Sequence, residues 1–418
     1  MENNELIKHE GGLIKRVSNA INVTNKLLAL AEPQLIPYRK KDKWGFCTPD
    51  KKIVIDCIYE DVAFFSEGLA KVQLNNKYGF IDKSGKLIVP CIYNHDRRTD
   101  FSEGLALVNL DKEYGFIDKM GKLIVPCIYD WVNIFSEGLA KVELNGKCGF
   151  IDKSGKLIVP CIYDAGSFFS EGMVGVQLNG KYGFINKIGE IIISFIYEND
   201  YSSGAYEFSG GLVKVKLNGK WGFIDYKGNQ IVSCIYDDVG EFSEELAYAE
   251  IGHKCGFINK QGKQIIPFLY EPMPELNKSD FKYKFYERLA SVKKKNKWGF
   301  IDKNGKMPIS CIYDNVEIFS DGLAGVLLKE KYGFINKKGQ VAISIKYDEY
   351  CLLYLNTFTE GLAIVNVNWR HGFIDKTGKQ IIPCIYTDVV PFSNGLSKVE
   401  LNEKWGYINT EGVQYWED

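Results

Sequence analysis

Cysteine and histidine most often carry metal or nucleophilic chemistry, so their spacing is the first question that this sequence raises. Seven of the eleven cysteines share one repeating position, at Cys57, Cys91, Cys127, Cys161, Cys234, Cys311 and Cys384. Phe195, Phe268 and Ile345 fill the same position elsewhere, which favours a small apolar environment over a metal ligand. The histidines fall in unrelated positions, at His9, His95, His253 and His371. Without a CxxC pair or a Ser/His/Asp set, the sequence predicts no catalytic residue, no metal site and no cofactor.

Carboxylates also recur, but at positions typical of turns. Asp82, Asp118 and Asp152 each begin a four-residue segment that ends in glycine, where a carboxylate commonly accepts hydrogen bonds from its own backbone. We interpret the glutamate of each Phe-Ser-Glu-Gly segment, such as Glu137, in the same way. No glycine-rich phosphate loop is present in the sequence. We therefore expect that the chain is not an enzyme.

Composition limits the classes of partner. The 52 basic and 53 acidic residues give a net charge of −1, so the positive field that nucleic-acid binding needs is not expected. No stretch of about 18 apolar residues could span a membrane. Glu2, Glu5 and Glu10 stand where a signal peptide would be basic. With 11 cysteines, an odd number, a reducing cytoplasmic location is expected.

One self-similar unit accounts for nearly the whole chain. Glycine followed by Phe or Tyr recurs eleven times, at Gly45, Gly79, Gly115, Gly149, Gly183, Gly222, Gly256, Gly299, Gly333, Gly372 and Gly406. A tyrosine stands fourteen residues after each of the first ten glycines, and a phenylalanine stands fourteen residues before each of the last ten. All length variation falls between that tyrosine and the next phenylalanine. This pattern indicates a packed module with one tolerant loop.

The unit at 135–163 illustrates the predicted local structure. A strand of alternating apolar and polar residues leads into Asn145-Gly146, a favoured two-residue hairpin turn. A return strand and a second turn, which begins at Asp152, precede an apolar third strand. Pro160 stops that strand because proline cannot donate to a β-ladder. Each unit is therefore three or four short antiparallel strands that need a neighbour on both sides.

The sequence KWGFIDKNGK at Lys297–Lys306 and the FSEGLA segments that begin at Phe65, Phe101 and Phe135 resemble the bacterial WG (KWG) repeat. The resemblance covers roughly residues 43–415. It implies an all-β repeat architecture and a role in interactions, and it supplies neither a catalytic motif nor a defined ligand.

How the array ends is left open by the repeat pattern. Gly45 has no upstream phenylalanine partner and Gly406 has no later tyrosine, so the chain begins and ends with a half unit. A propeller blade usually takes about 40 residues, whereas the basic spacing here is 34. We therefore favour an open β-superhelix or solenoid, with a propeller-like ring as the alternative.

Three segments are predicted: an amphipathic helix over 1–32, a linker over 33–42 and the β-repeat array of about ten units over 43–418. Apolar residues recur every seven positions in the first segment, at Ile7, Ile14, Ile21 and Leu28, which is typical of a helix with one apolar stripe. This helix would cap an end of the array or dock a partner. A membrane-surface role is least favoured because the basic face is thin.

Four irregular loops, at 94–100, 198–207, 271–284 and 348–357, mark where the repeat tolerates change, and function concentrates at such positions. Because Tyr and Arg are enriched at interface anchors, the candidate partner-binding residues are Arg97, Arg98, Tyr201, Tyr206, Tyr283, Tyr350 and Tyr354, together with the apolar stripe of the helix. We expect a non-catalytic scaffold or adaptor for a protein partner. A carbohydrate or cell-surface binding module is the alternative, since repeated aromatic residues can stack on sugars.

Overall fold

A computed structural model describes residues 34–96, 98, 100–198, 206–272, 282–348 and 357–418. Across these residues the chain forms strands and turns without a helix, and the strands group into eleven small sheets. The all-β prediction is therefore confirmed. The helix predicted over 1–32 lies outside the described residues.

Each sheet is one blade of a ring, and most blades follow the order of the chain. Blades 1 to 4 contain β1 (Ile36–Lys40), β2 (Lys43–Cys47) and β3 (Ile53–Tyr59); β4 (Asp61–Ser66), β5 (Leu69–Leu74), β6 (Lys77–Asp82) and β7 (Leu87–Tyr93); β8 (Leu105–Leu110), β9 (Glu113–Asp118) and β10 (Leu123–Tyr129); and β11 (Trp131–Val132), β12 (Leu139–Leu144), β13 (Lys147–Asp152) and β14 (Leu157–Tyr163). Blades 5 to 8 contain β15 (Ala165–Gly166), β16 (Met173–Leu178), β17 (Lys181–Asn186) and β18 (Ile191–Glu198); β19 (Leu212–Leu217), β20 (Lys220–Asp225) and β21 (Gln230–Tyr236); β22 (Asp238–Val239), β23 (Leu246–Ile251), β24 (Lys254–Asn259) and β25 (Gln264–Tyr270); and β26 (Phe285–Tyr286), β27 (Leu289–Lys294), β28 (Lys297–Asp302) and β29 (Ile309–Tyr313). Blades 9 to 11 contain β30 (Asn315–Ser320), β31 (Leu323–Leu328), β32 (Lys331–Asn336) and β33 (Val341–Asp348); β34 (Leu362–Val367), β35 (Arg370–Asp375) and β36 (Gln380–Tyr386); and β37 (Asp388–Val389), β38 (Leu396–Leu401) and β39 (Lys404–Asn409), after which β40 (Trp416–Glu417) returns to blade 1.

The central hairpin of each blade follows directly from its turn residues. In blade 4, β12 and β13 pair antiparallel from Leu139 opposite Asp152 to Leu144 opposite Lys147. The two turn residues between them, Asn145 and Gly146, have φ angles of 52° and 71°. Asparagine and glycine tolerate this left-handed backbone best, so the predicted type I′ turn is confirmed.

The repeated glycine is required by the outer strand. A Cβ added to Gly149 would lie 2.5 Å from the carbonyl oxygen of Val159 and 2.8 Å from the backbone nitrogen of Cys161. The pairing of β13 with β14 shifts register at this point, so the bulged outer strand presses its backbone against the glycine.

Neighbouring blades share every hydrophobic cluster, as a repeat that cannot bury its own apolar face requires. In one cluster, Phe150 and Val159 of blade 4 pack with Phe169 and Val174 of blade 5. The rings of Phe150 and Phe169 meet edge to face, with 5.0 Å between centroids, a favoured aromatic geometry. The core is therefore a series of joints between blades.

The array closes into a ring, so the open superhelix is wrong and the propeller-like alternative is confirmed. Strand β40 pairs in parallel with β1, and one buried cluster joins Trp44 of blade 1, Val72 of blade 2 and Tyr407 of blade 11. A 34-residue unit suffices for a blade because short turns join strands of 6, 6 and 7 residues, as in β12, β13 and β14. Since β1 begins at Ile36, the array starts inside the segment expected to be a linker, and its blades number eleven rather than ten.

Candidate partner-binding surface

The two faces of the ring carry different turns. We call one the hairpin face, which is formed by the two-residue turns equivalent to 145–146. The other is the glutamate face, which is formed by the Phe-Ser-Glu-Gly turns equivalent to 135–138 and the Asp-Lys-x-Gly turns equivalent to 152–155. Each face also carries a series of carboxylates. Their hydrogen-bond and ion-pair partners determine whether these carboxylates are available for binding or acid-base chemistry.

On the glutamate face, the glutamates hold adjacent blades together. The Glu137 carboxylate accepts hydrogen bonds from the backbone amides of Glu171 (2.8 Å) and Gly172 (2.9 Å) in the next blade. Lys187 of that blade pairs with it at 3.1 Å. Glu67 repeats the arrangement: its bond with Lys119 holds the pKa of the Glu67 carboxyl below its usual value. The expectation that these glutamates bond their own turns is therefore wrong, because the next blade presents its amides to them.

The aspartates of the other turn behave as predicted. The Asp152 carboxylate accepts hydrogen bonds from the amides of Ser154 (2.9 Å) and Lys156 (3.0 Å) in its own turn. On the hairpin face, Asp164 pairs with Lys147 at 2.5 Å. That bond lowers the Asp164 pKa, and amides of the following hairpin turn add to the effect. Within the described residues, no group of three His, Cys, Asp or Glu side chains is placed to hold a metal ion.

Trp369 is an exposed aromatic residue on the hairpin face. It is 81% exposed, the highest value among the large hydrophobic side chains of the described residues. It occupies the second position of the turn between β34 and β35 with a φ of 61°, where Gly146, Gly180 and Gly219 stand in equivalent turns. Lys112, His253, Glu330 and Glu403 have similar left-handed φ angles in the equivalent turns, so Trp369 is distinguished by its exposed indole and not by its backbone.

The surroundings of Trp369 make it part of a patch beside an irregular loop. The amide of Asn368 donates to the Asp348 carboxylate at 2.7 Å, and Asp348 is the last described residue before that loop. Lys331 pairs with Asp348 at 2.5 Å and lowers its pKa. Val367, which is 41% exposed, and the exposed Arg370 flank the tryptophan. We call Val367, Trp369 and Arg370 the Trp369 patch.

Three of the predicted partner-binding residues are described, and all three make contacts within the chain. Arg98 pairs with Asp96 at 2.6 Å, and its guanidinium carbon lies 3.8 Å from the Trp131 ring centroid. Tyr206 and Tyr283 are only 3% and 1% exposed. The Tyr206 hydroxyl donates to the Glu198 carbonyl and the Tyr283 hydroxyl to the Glu271 carbonyl, which closes the base of a loop in each case. Arg97, Tyr201, Tyr350, Tyr354, Ile7, Ile14, Ile21 and Leu28 lie outside the described residues.

Sequence reasoning missed Trp369, although an alignment of the eleven hairpin turns contains the signal, since Asn-Trp stands where three other copies have Asn-Gly. The structure also shows where three tryptophans of the WG motif lie. Trp44, Trp221 and Trp298 are 8%, 3% and 6% exposed because they pack between blades. These three rings are therefore not surface platforms for sugars.

Among the described residues, no helix has the length and apolar character needed to cross a bilayer.

Closure and blade-to-blade repetition define the class of protein: a β-propeller with eleven blades, each built from one sequence repeat. Within that class, the chain belongs to the WG-containing repeat family. The family model matches residues 44–78, 78–114, 114–148, 149–182, 182–221, 221–255, 256–272, 298–332, 332–368 and 372–405.

Two solved structures are distant likenesses. A eukaryotic initiation factor structure is 11% identical, with 73% of this chain and 93% of that chain covered and a TM-score of 0.45. Apo AztD from Citrobacter koseri is 9% identical, with 75% and 95% covered and a TM-score of 0.32. Neither likeness carries a functional argument. A search of curated proteins found no match to the sequence.

Proposed function

We propose that this propeller is a non-catalytic scaffold that binds a protein partner on its hairpin face, with Trp369 as the anchor. The observation that carries the proposal is the 81% exposed indole of Trp369. Tryptophan is among the residues most enriched at the energetic centres of interfaces. Val367 and Arg370 supply the adjoining apolar and cationic contacts, and the irregular loop after Asp348 begins beside them.

The rest of the molecule supports a scaffold rather than an enzyme. The turn carboxylates that could act as acids or bases, such as Glu137 and Asp152, are engaged in backbone hydrogen bonds that build the ring. Ten cysteines of the described residues are unpaired thiols. Unpaired thiols suit a reducing compartment, and we propose a cytoplasmic location on that basis.

The test is the substitution Trp369→Gly, which converts the turn to the Asn-Gly sequence found in blades 4, 5 and 6. Because glycine relieves the left-handed strain, we expect unchanged folding or a gain of about 0.5–1 kcal/mol in the free energy of unfolding. Affinity purification with quantitative mass spectrometry should then recover the partner at least about tenfold less well than the natural chain does.

Met120→Ser is the matched control. Met120 is 80% exposed but lies on the glutamate face, in a turn where Ser84 and Ser154 are the equivalent residues. Partner recovery should be unchanged by this substitution. Equal recovery by the natural chain and the Trp369→Gly variant would reject the Trp369 patch as the binding surface.

A carbohydrate-binding module is a second candidate function, because the exposed face of the Trp369 indole can stack on a sugar ring. A glycan array with the natural chain and the Trp369→Gly variant separates the two candidates. Saturable glycan binding that the substitution abolishes would replace the protein-partner proposal.

A further inference from the structure

A regular joint on the glutamate face is completed by one carboxylate. Glu137 of blade 4 accepts hydrogen bonds from the amides of Glu171 (2.8 Å) and Gly172 (2.9 Å) in blade 5. Lys187 of blade 5 pairs with the same carboxylate at 3.1 Å. Two successive backbone amides and one ammonium group therefore converge on one position, and such an arrangement selects an oxyanion.

Two described blades have no carboxylate at the glutamate position. They have Gly210 in blade 6 and Asn394 in blade 11. The φ of 59° at Gly210 is close to the 51° at Glu137, so the backbone of the turn is retained although the side chain is missing. Among the described residues, the one atom within 4 Å of a Cβ added at Gly210 would be Nζ of Lys260 in blade 7, at 3.4 Å. Open space beside a cation therefore replaces the glutamate of blade 6.

Blade 7 presents the groups that hold the glutamate in a regular joint. Lys260 stands at the position of Lys187. Glu244 and Glu245 stand at the positions of the two residues whose amides bond the glutamate, and their φ angles of 47° and 77° are left-handed as in the regular turns. We call Gly210, Lys260 and the amides of Glu244 and Glu245 the Gly210 site.

Two carboxylates lie near the Gly210 site, and neither takes the position of the missing side chain. Glu171 is bonded by two amides of blade 6, at 2.8 and 3.0 Å, and by the Tyr226 hydroxyl, so it belongs to the preceding joint. Glu245 pairs with Lys260 at 3.4 Å, but the Glu245 side chain is 77% exposed. An ion pair with so exposed a member contributes little stability, so an incoming carboxylate can replace Glu245 on Lys260.

We propose that the Gly210 site binds an acidic side chain of a partner peptide. Its carboxylate lies between Lys260 and the two amides of blade 7, in the place that Glu137 takes in the regular joint. A carboxylate fits better than a phosphate because the same backbone turn holds carboxylates at the regular joints. The site lies on the glutamate face, so it is separate from the Trp369 patch and goes beyond the function proposed above.

The probe is N-acetylglutamate α-amide, which carries one side-chain carboxylate, and N-acetylglutamine amide is its uncharged counterpart. Saturation-transfer NMR with the full chain at constant ionic strength should show saturable millimolar binding of the first compound and at least about tenfold weaker binding of the second. Equal binding of the two compounds overturns the proposal. Tighter binding of inorganic phosphate, or of N-acetylalanine through its α-carboxylate, overturns the assignment to an acidic side chain.

Three variants of the chain locate the site. Gly210→Glu supplies the carboxylate from within the chain, so the thermal midpoint should rise while probe binding falls at least about tenfold. Lys260→Gln removes the cation and should weaken probe binding about fivefold, with circular dichroism as the check on folding. Glu245→Gln removes the competing carboxylate from Lys260 and should strengthen probe binding about twofold.

Lys187→Gln is the matched control, because Glu137 already fills the equivalent position at the joint between blades 4 and 5. This variant should bind the probe as the natural chain does. Trp369→Gly should also bind it unchanged, which separates this proposal from the first. Probe binding by Lys260→Gln as tight as that of the natural chain overturns the assignment, and so does an equal loss of binding in Lys187→Gln and Lys260→Gln.

Discussion

The joint between blades 4 and 5 and the seam between blades 11 and 1 perform the same task with different chemistry. The regular joint relies on an aromatic pair and on Glu137, which bonds residues 34 and 35 positions away. The seam relies on contacts that occur once in the ring. Tyr38 donates its hydroxyl to Glu417 at 2.9 Å across 379 residues, and Arg39 pairs with Asp418 at 2.9 Å.

The difference shows how a repeat can encode its joints but cannot encode its own closure. A contact between adjacent repeats recurs automatically whenever the unit is copied. The seam must bring together opposite ends of the chain, which carries a larger loop-closure entropy. Arg39 is only 4% exposed and also donates to the Trp405 carbonyl at 2.9 Å, so a buried guanidinium with several hydrogen bonds helps to hold the seam.

Removal of residues 414–418 should have the largest effect, because it deletes β40, the 1% exposed Tyr415 and the partner of Arg39. Loss of a buried aromatic side chain alone costs about 3–5 kcal/mol. We expect the seam to open while the regular joints persist. Small-angle scattering should show a larger radius of gyration with far-ultraviolet circular dichroism nearly retained. An unchanged radius with unchanged stability would contradict the role assigned to the seam.

Gly149→Ala should destabilise a regular blade rather than the seam. The new Cβ meets backbone atoms of the outer strand at 2.5 and 2.8 Å, and backbone cannot move as a flexible side chain can. We expect a loss of about 2–3 kcal/mol in the free energy of unfolding, measured by urea denaturation. Met120→Ser in the same assay should change stability by less than about 0.5 kcal/mol. A Gly149→Ala variant as stable as this control would refute the close approach.

Glu137→Gln tests the repeated carboxylate bridge. The substitution keeps an acceptor but removes the charge that attracts Lys187, and the site is partly exposed, so a loss of about 0.5–1 kcal/mol is expected. The matched substitution at the seam is Asn394→Glu. It should change stability by less than about 0.5 kcal/mol, because Asn394 is exposed. Equal and opposite changes in the free energy of unfolding for Glu137→Gln and Asn394→Glu would show that the two joints do not differ in this respect.

Lowering the pH should weaken the regular joints gradually. The loss of stability per residue should be smaller than for any of the substitutions above. Glu67, Asp164 and Asp348 have lowered pKa values, caused first by their bonds to Lys119, Lys147 and Lys331. A lowered folded-state pKa contributes stability above the unfolded value, about 4 for these groups, and that stability is lost as pH falls through the folded pKa. The thermal midpoint should therefore decline below about pH 4. Lys147→Gln should flatten that decline, and an identical acid profile in this variant would exclude Asp164 as a contributor.

Much of the fold could be predicted because its determinants are local. Asn145-Gly146 specifies a left-handed turn, Asp152 bonds amides within four residues, and Gly149 lies within fourteen residues of the strand that crowds it. The candidate site was less predictable. Tyr206 and Tyr283 suit an interface by residue type, yet a hydroxyl within reach of a loop-base carbonyl satisfied each of them inside the chain. Trp369 was overlooked because its meaning comes from comparison with the equivalent turns and from its exposure.

The sequence by itself determined the blade: its strands, its two turns and its invariant glycine, since each depends on backbone preferences and side-chain contacts that act over a few residues. Only the tertiary structure decided that the copies close on themselves, that the turn glutamates bond the next blade, and that Trp44, Trp221 and Trp298 are buried. The physical reason is that these outcomes depend on the angle and distance between blades. A repeat leaves those quantities unspecified until residues as far apart as Tyr38 and Glu417 meet.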